Sequence, residues 1–232
     1  MKYSLIIPCY NEGKNLPILL ERMTPLMRNK NIEIILVDNG SPDDTQLILE
    51  NLLPKDSIFI STRVEKNLGY GFGILSGLKI ARGDALGWTH ADMQTDPKDF
   101  LQAIKIFEEN NCNCFVKGRR IKRPFSDNFF TVGMSIFETF LLRSILFDIN
   151  AQPNLFPKSF FESWKNPPHD FSLDLYAYYY AKYQNLHVIR FPVLFAERIH
   201  GTSHWNINWR TKFKFIRRTI AFSLDLTRRS FK

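Results

Sequence analysis

The first half of the chain alternates short apolar runs with segments that carry apolar residues at helical spacing. Residues 2–8 form such a run and end at Pro8, which predicts a buried strand. The alternation continues with predicted helices at 15–27, 43–53, 71–81 and 99–109, and predicted strands at 32–37, 57–62, 85–89 and 114–117. Strands and helices that alternate at these lengths predict an α/β fold in which a mainly parallel sheet is flanked by helices.

The second half is less regular. It predicts a helix rich in Phe and Leu over 131–147, a proline-containing loop over 150–157, an aromatic helix over 173–183, a strand over 187–195 and a basic tail. We expect one domain over residues 1–205 and a basic amphipathic tail over 206–232. The total of 232 residues suits this division.

Charge and cysteine content narrow the class of protein. The formal net charge of +8 favours an anionic partner, which can be nucleic acid, a phosphorylated substrate or an anionic membrane surface. The three cysteines are an odd number and form no framework, which argues against a disulfide-stapled secreted fold. The N-terminal apolar run is too short for a secretory leader, and no run reaches the length of about 20 residues that a membrane-spanning helix needs. We therefore expect a cytoplasmic protein.

Acids and amides follow three of the predicted strands in the first half. They occupy residues 8–12 after the first strand, 38–43 after the second and 90–97 after the fourth. In open parallel sheets, ligands bind at the carboxyl ends of the strands. Acidic groups gathered there repel one another unless a cation lies among them, and oxygen ligands suit Mg²⁺ or Mn²⁺. Each segment taken alone also fits an ordinary turn or helix start, so the prediction rests on their joint occurrence.

The ordered motifs resemble those of family 2 glycosyltransferases with a GT-A (Rossmann-like) fold, and most closely those of dolichyl- and polyprenyl-phosphate mannosyl- and glucosyltransferases. The matching segments are PCYNE at 8–12, VDNGSPDDT at 37–45, NLGYG at 67–71, GLKIARGD at 77–84, HADMQ at 90–94, GRR at 118–120 and ERIHGTSHW at 197–205. They span nearly nine-tenths of the chain in the family's order. The resemblance implies an inverting transfer of a hexose from a GDP- or UDP-sugar.

The resemblance also implies a role for individual residues. The nucleotide-sugar would be bound by Pro8, Tyr10, Glu12, Val37, Asp38, Asn39, His90, Ala91, Asp92, Arg120, Arg198 and His204. The divalent metal, Mg²⁺ or Mn²⁺, would be held by Asp92 and Gln94. Arg120 would face the donor diphosphate or the acceptor phosphate, and Arg198 and His204 would come over the donor phosphates from a loop.

Three positions depart from the family pattern. His90 replaces the first acid of the D-x-D motif, Asn39 replaces the second acid after the second strand, and His204 stands where relatives often carry Lys. A neutral His90 can ligate a metal or hydrogen-bond a ribose, but it brings no negative charge. The nucleotide and the metal dependence therefore stay open, as does a catalytically degenerate relative that only binds nucleotide.

The acceptor decides whether the reaction needs a base. A sugar hydroxyl needs a carboxylate within hydrogen-bond reach, for which Asp170 and Asp174 are the candidates. Asp174 lies where the relatives place an acid facing the acceptor, so it is the predicted catalytic base beside Asp92 and Arg120. A lipid phosphate is already anionic and needs a cationic cradle instead, for which the cluster of Arg119, Arg120, Lys122 and Arg123 is suited.

The C-terminal tail predicts a basic amphipathic helix. Apolar residues recur at Trp209, Phe213, Ile216 and Ile220, with basic residues between them. Such a helix suits peripheral contact with an anionic bilayer, at the inner face of the plasma membrane, or packing on the domain. We expect a polyprenyl phosphate acceptor, with a saccharide of a cell-surface polysaccharide as the alternative. Nucleic acid is not an expected partner, because the aromatic residues form no known RNA-binding pattern.

Overall fold

The computed structural model describes residues 2–53, 58–122, 125–200 and 209–228. Its centre is a seven-stranded sheet in the order β3-β2-β1-β4-β6-β5-β7. The strands are β1 (Tyr3–Cys9), β2 (Ile32–Asp38), β3 (Phe59–Arg63), β4 (Ala85–Trp88), β5 (Cys114–Ile121), β6 (Asn154–Pro157) and β7 (His187–Leu194). All neighbouring pairs are parallel except the two that β6 makes with β4 and β5. The predicted α/β fold with a mainly parallel sheet is confirmed.

Helices flank the sheet. They are α1 (Leu16–Arg22), α2 (Thr24–Met27), α3 (Thr45–Leu52), α4 (Tyr70–Ile80), α5 (Asp99–Glu109), α6 (Phe125–Leu142), α7 (Lys158–Glu162), α8 (Ser172–Tyr183) and α9 (Trp209–Arg228). The helix predicted over 15–27 is divided into α1 and α2, because Pro25 lies at the start of α2 and has no backbone N–H to continue the ladder of α1. The predicted C-terminal helix is present as α9.

Two predictions for the second half are wrong in their boundaries or type. The segment predicted as a loop over 150–157 contains β6, whose Leu155 and Phe156 are fully buried between neighbouring strands. Two apolar residues between Pro153 and Pro157 are too short a run to indicate a strand. The helix predicted over 131–147 begins at Phe125 and ends at Leu142, because Arg143 adopts a left-handed φ of 50°.

The sheet buries both of its faces. In β1, Leu5 and Ile7 point into one core cluster and Ile6 into the other, because successive side chains of a strand alternate between faces. Helix α4 approaches the sheet closely at Gly77, where an added Cβ would lie 2.6 Å from a methyl group of Ile6. Full burial of such aliphatic side chains stabilises the fold by about 1.5–3 kcal/mol each.

The strand order brings the predicted site together. The carboxyl ends of β1, β2 and β4 lie side by side, since β1 pairs with both β2 and β4 in parallel. The chain order also reverses at β1, which makes this edge the switch point where α/β sheets bind ligands. Of the helices within the described ranges, none combines the length and the apolarity that crossing a bilayer requires.

Candidate active site

The loops after β1 and β2 are tied to each other at the carboxyl edge of the sheet. The backbone N–H of Asn11 donates to Ser41 Oγ at 3.1 Å, and that of Glu12 donates to Thr45 Oγ1 at 3.0 Å. Asn11 adopts a φ of 58°, a left-handed conformation that Asn tolerates better than most residues. Pro8, Tyr10 and Glu12 are all partly buried along this edge. The loop therefore has a defined shape.

The end of β2 is buried. Val37 is fully buried in the core, so only its backbone can meet a ligand at the edge. Asp38 Oδ1 accepts from the N–H of Ser41 at 3.0 Å, and Oδ2 lies 3.5 Å from Arg63 Nε. Asp38 thus fixes the turn that follows the strand, which agrees with the ordinary turn chemistry of Asp-Asn-Gly-Ser.

The structure gives a physical reason for Asn at position 39. Its side-chain Nδ2 donates to the carbonyl of Gly69 at 3.0 Å, at the start of α4. An added Cβ at Gly73 would lie 2.9 Å from Asn39 Cγ, so the amide is wedged between β2 and α4. A carboxylate could not donate this hydrogen bond and would place a charge beside a carbonyl oxygen. Asn39 therefore joins α4 to the sheet at the edge of the site.

The two predicted metal ligands, Asp92 and Gln94, meet one guanidinium. Arg198 Nη2 lies 2.8 Å from Asp92 Oδ2, and Arg198 Nε donates to Gln94 Oε1 at 3.1 Å. Asp92 Oδ1 also accepts from the backbone N–H of Gln94 at 3.2 Å, which fixes the carboxylate in the turn after β4. Asp92 is 6% exposed. A positive charge thus occupies the space between the carboxylate and the amide oxygen.

The segment that carries Arg198 is held against the edge of the sheet. The backbone N–H of Ala196 donates to the carbonyl of Gln94 at 2.8 Å, and Asn15 Nδ2 donates to the carbonyl of His200 at 3.4 Å. The segment therefore runs from the end of β7 across the loop after β4 to the start of α1. Arg198 lies against Asp92, and its predicted contact with the donor phosphates stays a prediction, whereas His204 lies outside the described residues.

The charges of Asp92 and Arg198 affect the pKa of Glu12. Burial raises the pKa of Glu12 from 4.5 to about 7; the hydrogen bond from Asn15 lowers it, the nearby Asp92 carboxylate raises it and Arg198 lowers it. The two acids are therefore close enough to repel each other, and a cation between them would relieve that repulsion. Ala91 is buried beside them and contributes backbone only.

His90 belongs to an aromatic stack. Its ring centroid lies 5.4 Å from that of Tyr70, which in turn stacks on Phe171 at 4.6 Å. Burial lowers the pKa of His90 and the charge of Asp92 opposes this shift, so the imidazole is held neutral near pH 7. The stack links the end of β4 to the starts of α4 and α8.

Arg120, predicted to face a phosphate, is paired inside the protein. Its Nε donates to Asp148 Oδ1 at 2.7 Å and its backbone N–H donates to Asp148 Oδ2 at 2.8 Å. The guanidinium also lies over the ring of Phe195, at 5.0 Å from the centroid. Of the predicted basic cluster, Arg119 and Lys122 are exposed at the carboxyl end of β5, and Arg123 lies outside the described residues.

Asp174, the predicted base, is 1% exposed at the centre of a polar network. Its Oδ1 accepts hydrogen bonds from Gln152 Nε2 at 2.8 Å, Trp88 Nε1 at 3.2 Å and Asn154 Nδ2 at 3.4 Å. Lys117 Nζ extends the network by donating to Asn154 Oδ1 at 2.9 Å. Sequence reasoning missed Lys117, Gln152 and Asn154, because Lys117 lies in an apolar predicted strand and the other two lie in a segment predicted as a loop.

Asp170, the other candidate base, lies at the entrance to α8. Its Oδ1 accepts from the N–H of Ser172 at 2.8 Å, and its Oδ2 lies 2.9 Å from Arg218 Nε on α9. Both oxygens of Asp170 are therefore engaged, one with the helix start and one with α9.

Residues 4–173 match the family described as "Glycosyl transferase family 2". The chain belongs to this family. The carboxyl-edge residues up to Phe171 lie within the matched range, whereas Asp174, Arg198 with its segment, and Arg218 lie outside it. The family model thus covers the carboxyl ends of β1, β2 and β4, where the acids and amides meet.

Curated relatives of this family 2 member include undecaprenyl-phosphate 4-deoxy-4-formamido-L-arabinose transferases. That of Pseudomonas syringae pv. syringae (strain B728a) is 34% identical over 109 residues, which are 46% of this chain and 32% of the relative. That of Yersinia pestis (strain Pestoides F) is 34% identical over 111 residues, which are 47% of this chain and 34% of the relative. The match thus spans about a third of the length of these curated relatives.

Solved structures share the fold. The glucosyl-3-phosphoglycerate synthase of Mycobacterium tuberculosis, crystallised with Mn²⁺, UDP and glucosyl-3-phosphoglycerate, superposes with a TM-score of 0.75 at 16% identity. The superposition covers 97% of this chain and 79% of that protein. The predicted GT-A fold is thereby confirmed.

The donor set at Asp92 fits a hard divalent cation bound together with a diphosphate. Within the described ranges, no three His, Cys, Asp or Glu side chains gather closely enough to hold a metal by themselves. Asp92 and Gln94 offer one carboxylate and one amide oxygen, the ligand types that Mg²⁺ and Mn²⁺ prefer. The guanidinium of Arg198 already places a positive charge against both oxygens. A cation at these two oxygens would therefore have to displace the guanidinium, and the diphosphate would supply most of its remaining ligands.

Proposed function

We propose that this protein transfers a hexose, with inversion, from a GDP- or UDP-sugar to a polyprenyl phosphate. The single observation that carries the proposal is the pairing of Asp92 and Gln94 with Arg198 at the carboxyl edge of a family 2 fold. A carboxylate, an amide oxygen and a guanidinium in one place suit a metal-bound diphosphate, since the two oxygens bind the cation and the guanidinium binds phosphate oxygens.

The same residues would bind the diphosphate of the nucleotide-sugar donor. Asp92 and Gln94 would hold Mg²⁺ or Mn²⁺, which when bound stabilises the charge that develops on the leaving diphosphate. Arg198 would exchange its carboxylate partner for the diphosphate. Pro8, Tyr10 and Glu12 would line the nucleotide pocket, with Asp38 and Asn39 shaping its floor through the turn after β2.

The acceptor end favours a phosphate over a sugar hydroxyl. Attack by a hydroxyl needs a carboxylate base that the acceptor can reach, whereas a phosphate is already ionised. Asp174 is buried within a hydrogen-bonded network and Asp170 is engaged by Ser172 and Arg218. Arg119 and Lys122 are exposed at the end of β5 and can meet an anionic acceptor. The curated relatives named above act on undecaprenyl phosphate, which supports the same acceptor class.

The chain organisation belongs to the proposal as well. Residues 1–205 would form the catalytic domain and residues 206–232 the basic tail, although the boundary between them lies outside the described residues. Because the acceptor is a membrane lipid, the protein would work in peripheral contact with the anionic inner face of the plasma membrane, with the donor taken from the cytoplasm.

The test is a transfer assay with purified protein. Radiolabelled GDP- and UDP-sugars would be supplied in turn with undecaprenyl phosphate in detergent, with Mn²⁺, with Mg²⁺ or with a chelator, and the lipid product would be separated by chromatography. We expect product from one donor class, loss of product with chelator, and a fall of at least about 100-fold for Asp92→Asn, because a metal ligand is removed.

A matched control lies in the same loop. Both oxygens of the Asp96 carboxylate are engaged by Lys98, one through its backbone N–H and one through its ammonium group. Asp96→Asn should therefore retain wild-type transfer. Transfer to a saccharide with none to the lipid would replace the proposed acceptor, and nucleotide binding without transfer to either would leave a degenerate relative.

A further inference from the structure

Between residues 132 and 140, helix α6 exposes large apolar side chains and buries two polar ones. Val132, Ile136 and Phe140 lie one turn apart along its outer side and are 40%, 53% and 81% exposed. Ser135 and Glu138 lie on the inner side and are buried. A helix that packs on a domain normally buries its apolar face and exposes its polar one. We call Val132, Ile136 and Phe140 the α6 stripe.

The orientation of α6 is fixed by its polar side. Glu138 accepts from Ser223 Oγ on α9 at 2.7 Å, and Ser135 Oγ accepts from the N–H of Asp148 at 3.3 Å. Thr139 Oγ1 accepts from the N–H of Leu146 at 3.0 Å. Rotating the helix to bury the stripe would break all three hydrogen bonds and leave their donors and acceptors unpaired in apolar surroundings. The stripe is thus held outward by the fold.

The stripe lies at the same edge of the sheet as the donor site. Helix α6 follows β5, which ends at its carboxyl end with Ile121. The chain returns from α6 to Asp148, which binds both the backbone and the side chain of Arg120 at that end of β5. The apolar surface continues along this return through Ile145, which is exposed.

The charge around the stripe is positive. Between residues 132 and 147 the only acid in the sequence is Glu138, which is buried. Arg143 is exposed in the same stretch, and Arg119 and Lys122 are exposed before the helix. On the neighbouring α9, Arg217 and Arg218 are exposed, the latter paired with Asp170, and Asp225 is the one exposed acid of that helix. Apolar anchors among exposed cations match the interface of an anionic bilayer, where the side chains enter the headgroup layer and the cations meet lipid phosphates.

We infer that the α6 stripe docks the protein on an anionic lipid bilayer and turns the carboxyl edge of the sheet toward it. This inference rests on the proposed function, since it supplies the surface on which a polyprenyl phosphate would be presented. A second copy of the chain fits less well. The stripe is one helix face, much smaller than the roughly 800 Å² per partner of a stable interface, and a two-fold contact would bring the flanking cations together.

Vesicle flotation tests the inference. Wild-type protein and Ile136→Ser/Phe140→Ser would be mixed with vesicles of phosphatidylglycerol and phosphatidylcholine, or of phosphatidylcholine alone. We expect wild-type protein to float with the anionic vesicles and the double variant to bind at least about ten-fold more weakly, because two apolar anchors are lost. The matched control is Leu47→Ser, which removes a similarly exposed apolar residue from α3 and should float like wild type.

Two further arms separate the alternatives. Arg217→Gln/Arg218→Gln removes exposed cations from the tail helix while keeping the stripe, and should weaken flotation less than the stripe variant does. Equal flotation of wild type and the stripe variant, or loss of flotation in the tail variant alone, would overturn the inference. A wild-type dimer in sedimentation that the stripe variant dissociates, with flotation unchanged, would assign the stripe to self-association instead.

The proposed function can fail separately. Transfer from the nucleotide-sugar to a short-chain polyprenyl phosphate in detergent needs no bilayer, so the stripe variant should keep wild-type transfer there and lose it on vesicles. Flotation through the stripe with no transfer in detergent would refute the proposed reaction and leave the docking surface standing.

Discussion

Arg198 Nη2 lies 2.8 Å from Asp92 Oδ2, so the proposed metal ligand is already neutralised by the residue proposed to receive the diphosphate. The same guanidinium donates to Gln94 Oε1. A cation that binds Asp92 must therefore displace Arg198. With a metal-bound diphosphate in the site, Asp92 would hold the cation and Arg198 would bind the phosphate oxygens.

This exchange predicts opposite effects of Arg198→Gln on two ligands. Mn²⁺ alone should bind up to about five-fold more tightly, because a partly exposed ion pair worth at most about 1 kcal/mol no longer competes for Asp92. The nucleoside diphosphate with Mn²⁺ should bind about ten-fold or more weakly, because a charge-assisted contact is lost. Calorimetric titration measures both. Arg82→Gln, an exposed site beside Glu33, controls for net charge, and weaker binding of Mn²⁺ alone would refute the exchange.

Asp174 is expected to act as a positioning residue. Its Oδ1 accepts from Gln152, Trp88 and Asn154 in a buried network, and Asn at this position can still accept through its amide oxygen. Asp174→Asn should therefore retain kcat within about ten-fold, whereas loss of a general base costs roughly 10²–10⁴-fold. Asp174→Ala should lower the melting temperature, because buried donors lose their acceptor.

The two Asp174 variants together decide its role. A large loss of kcat in Asp174→Asn at an unchanged melting temperature would assign it to base catalysis and would favour a hydroxyl acceptor. Thermal unfolding and steady-state transfer on the same preparations give both readouts.

The sequence predicted the first half of the fold, where the local hydrophobic pattern agrees with the tertiary structure. The strands ending at Cys9, Asp38 and Trp88 are apolar runs stopped by polar or breaking residues, and their parallel order places the motif residues together. Asp92, Gln94 and Arg198 are accordingly found in contact. The family motifs carried these three residues, and the strand order explains why residues far apart in sequence meet.

The features that the sequence did not predict depend on long-range contacts. Strand β6 is recognisable only from its pairing with β4 and β5, since Leu155 and Phe156 are too few to indicate a strand. The partner of Arg120 could not be predicted, because Asp148 lies in an irregular segment 28 residues away. Likewise, the apolar residues of α6 predicted a helix but not that Val132, Ile136 and Phe140 face outward, since periodicity alone does not say which face is buried.

Asp148 is expected to be a main determinant of stability near the site. Burial by itself raises the pKa of Asp148. The charge and hydrogen bonds of Arg120 lower it by more, and Arg190 adds a smaller lowering, so the pKa lies below its usual value. The ionised form therefore stabilises the fold at pH values above the ordinary Asp pKa of about 3.9, and this stabilisation is lost as the pH falls through the lower folded value.

The corresponding variant is Asp148→Asn. It removes the charge while Arg120 and Arg190 remain largely buried beside it, which should cost about 3–5 kcal/mol at pH 7. Urea unfolding at pH 7 measures the loss. Asp96→Asn breaks an exposed pair with Lys98 and should cost less than about 1 kcal/mol. Equal costs for the two variants would show that the Arg120 pair adds little to stability.

Glu138 gives the α6–α9 contact a pH dependence. Burial raises the pKa of Glu138 from 4.5 to about 7, an effect that the hydrogen bond from Ser223 only partly opposes. At pH values below 4.5 the residue is neutral in both the folded and the unfolded chain. Between 4.5 and 7 the unfolded chain releases the proton that the folded chain keeps, so the free energy of unfolding falls as the pH rises, and the full penalty is present above pH 7.

Replacing Glu138 by Gln removes this titration while keeping an oxygen that accepts from Ser223. From pH 5 to pH 8, the free energy of unfolding of Glu138→Gln should therefore rise by on the order of 2 kcal/mol relative to that of wild type. The reason is that wild type must bury an ionised carboxylate at pH 8, whereas the variant has none. Urea unfolding at both pH values measures the difference. Glu109→Gln, an exposed partner of Lys105, should show no such change. The prediction is contradicted if Glu138→Gln and wild type differ in stability by the same amount at pH 5 and at pH 8. Glu138 would then ionise without cost in the folded protein, and the α6–α9 contact would be insensitive to pH.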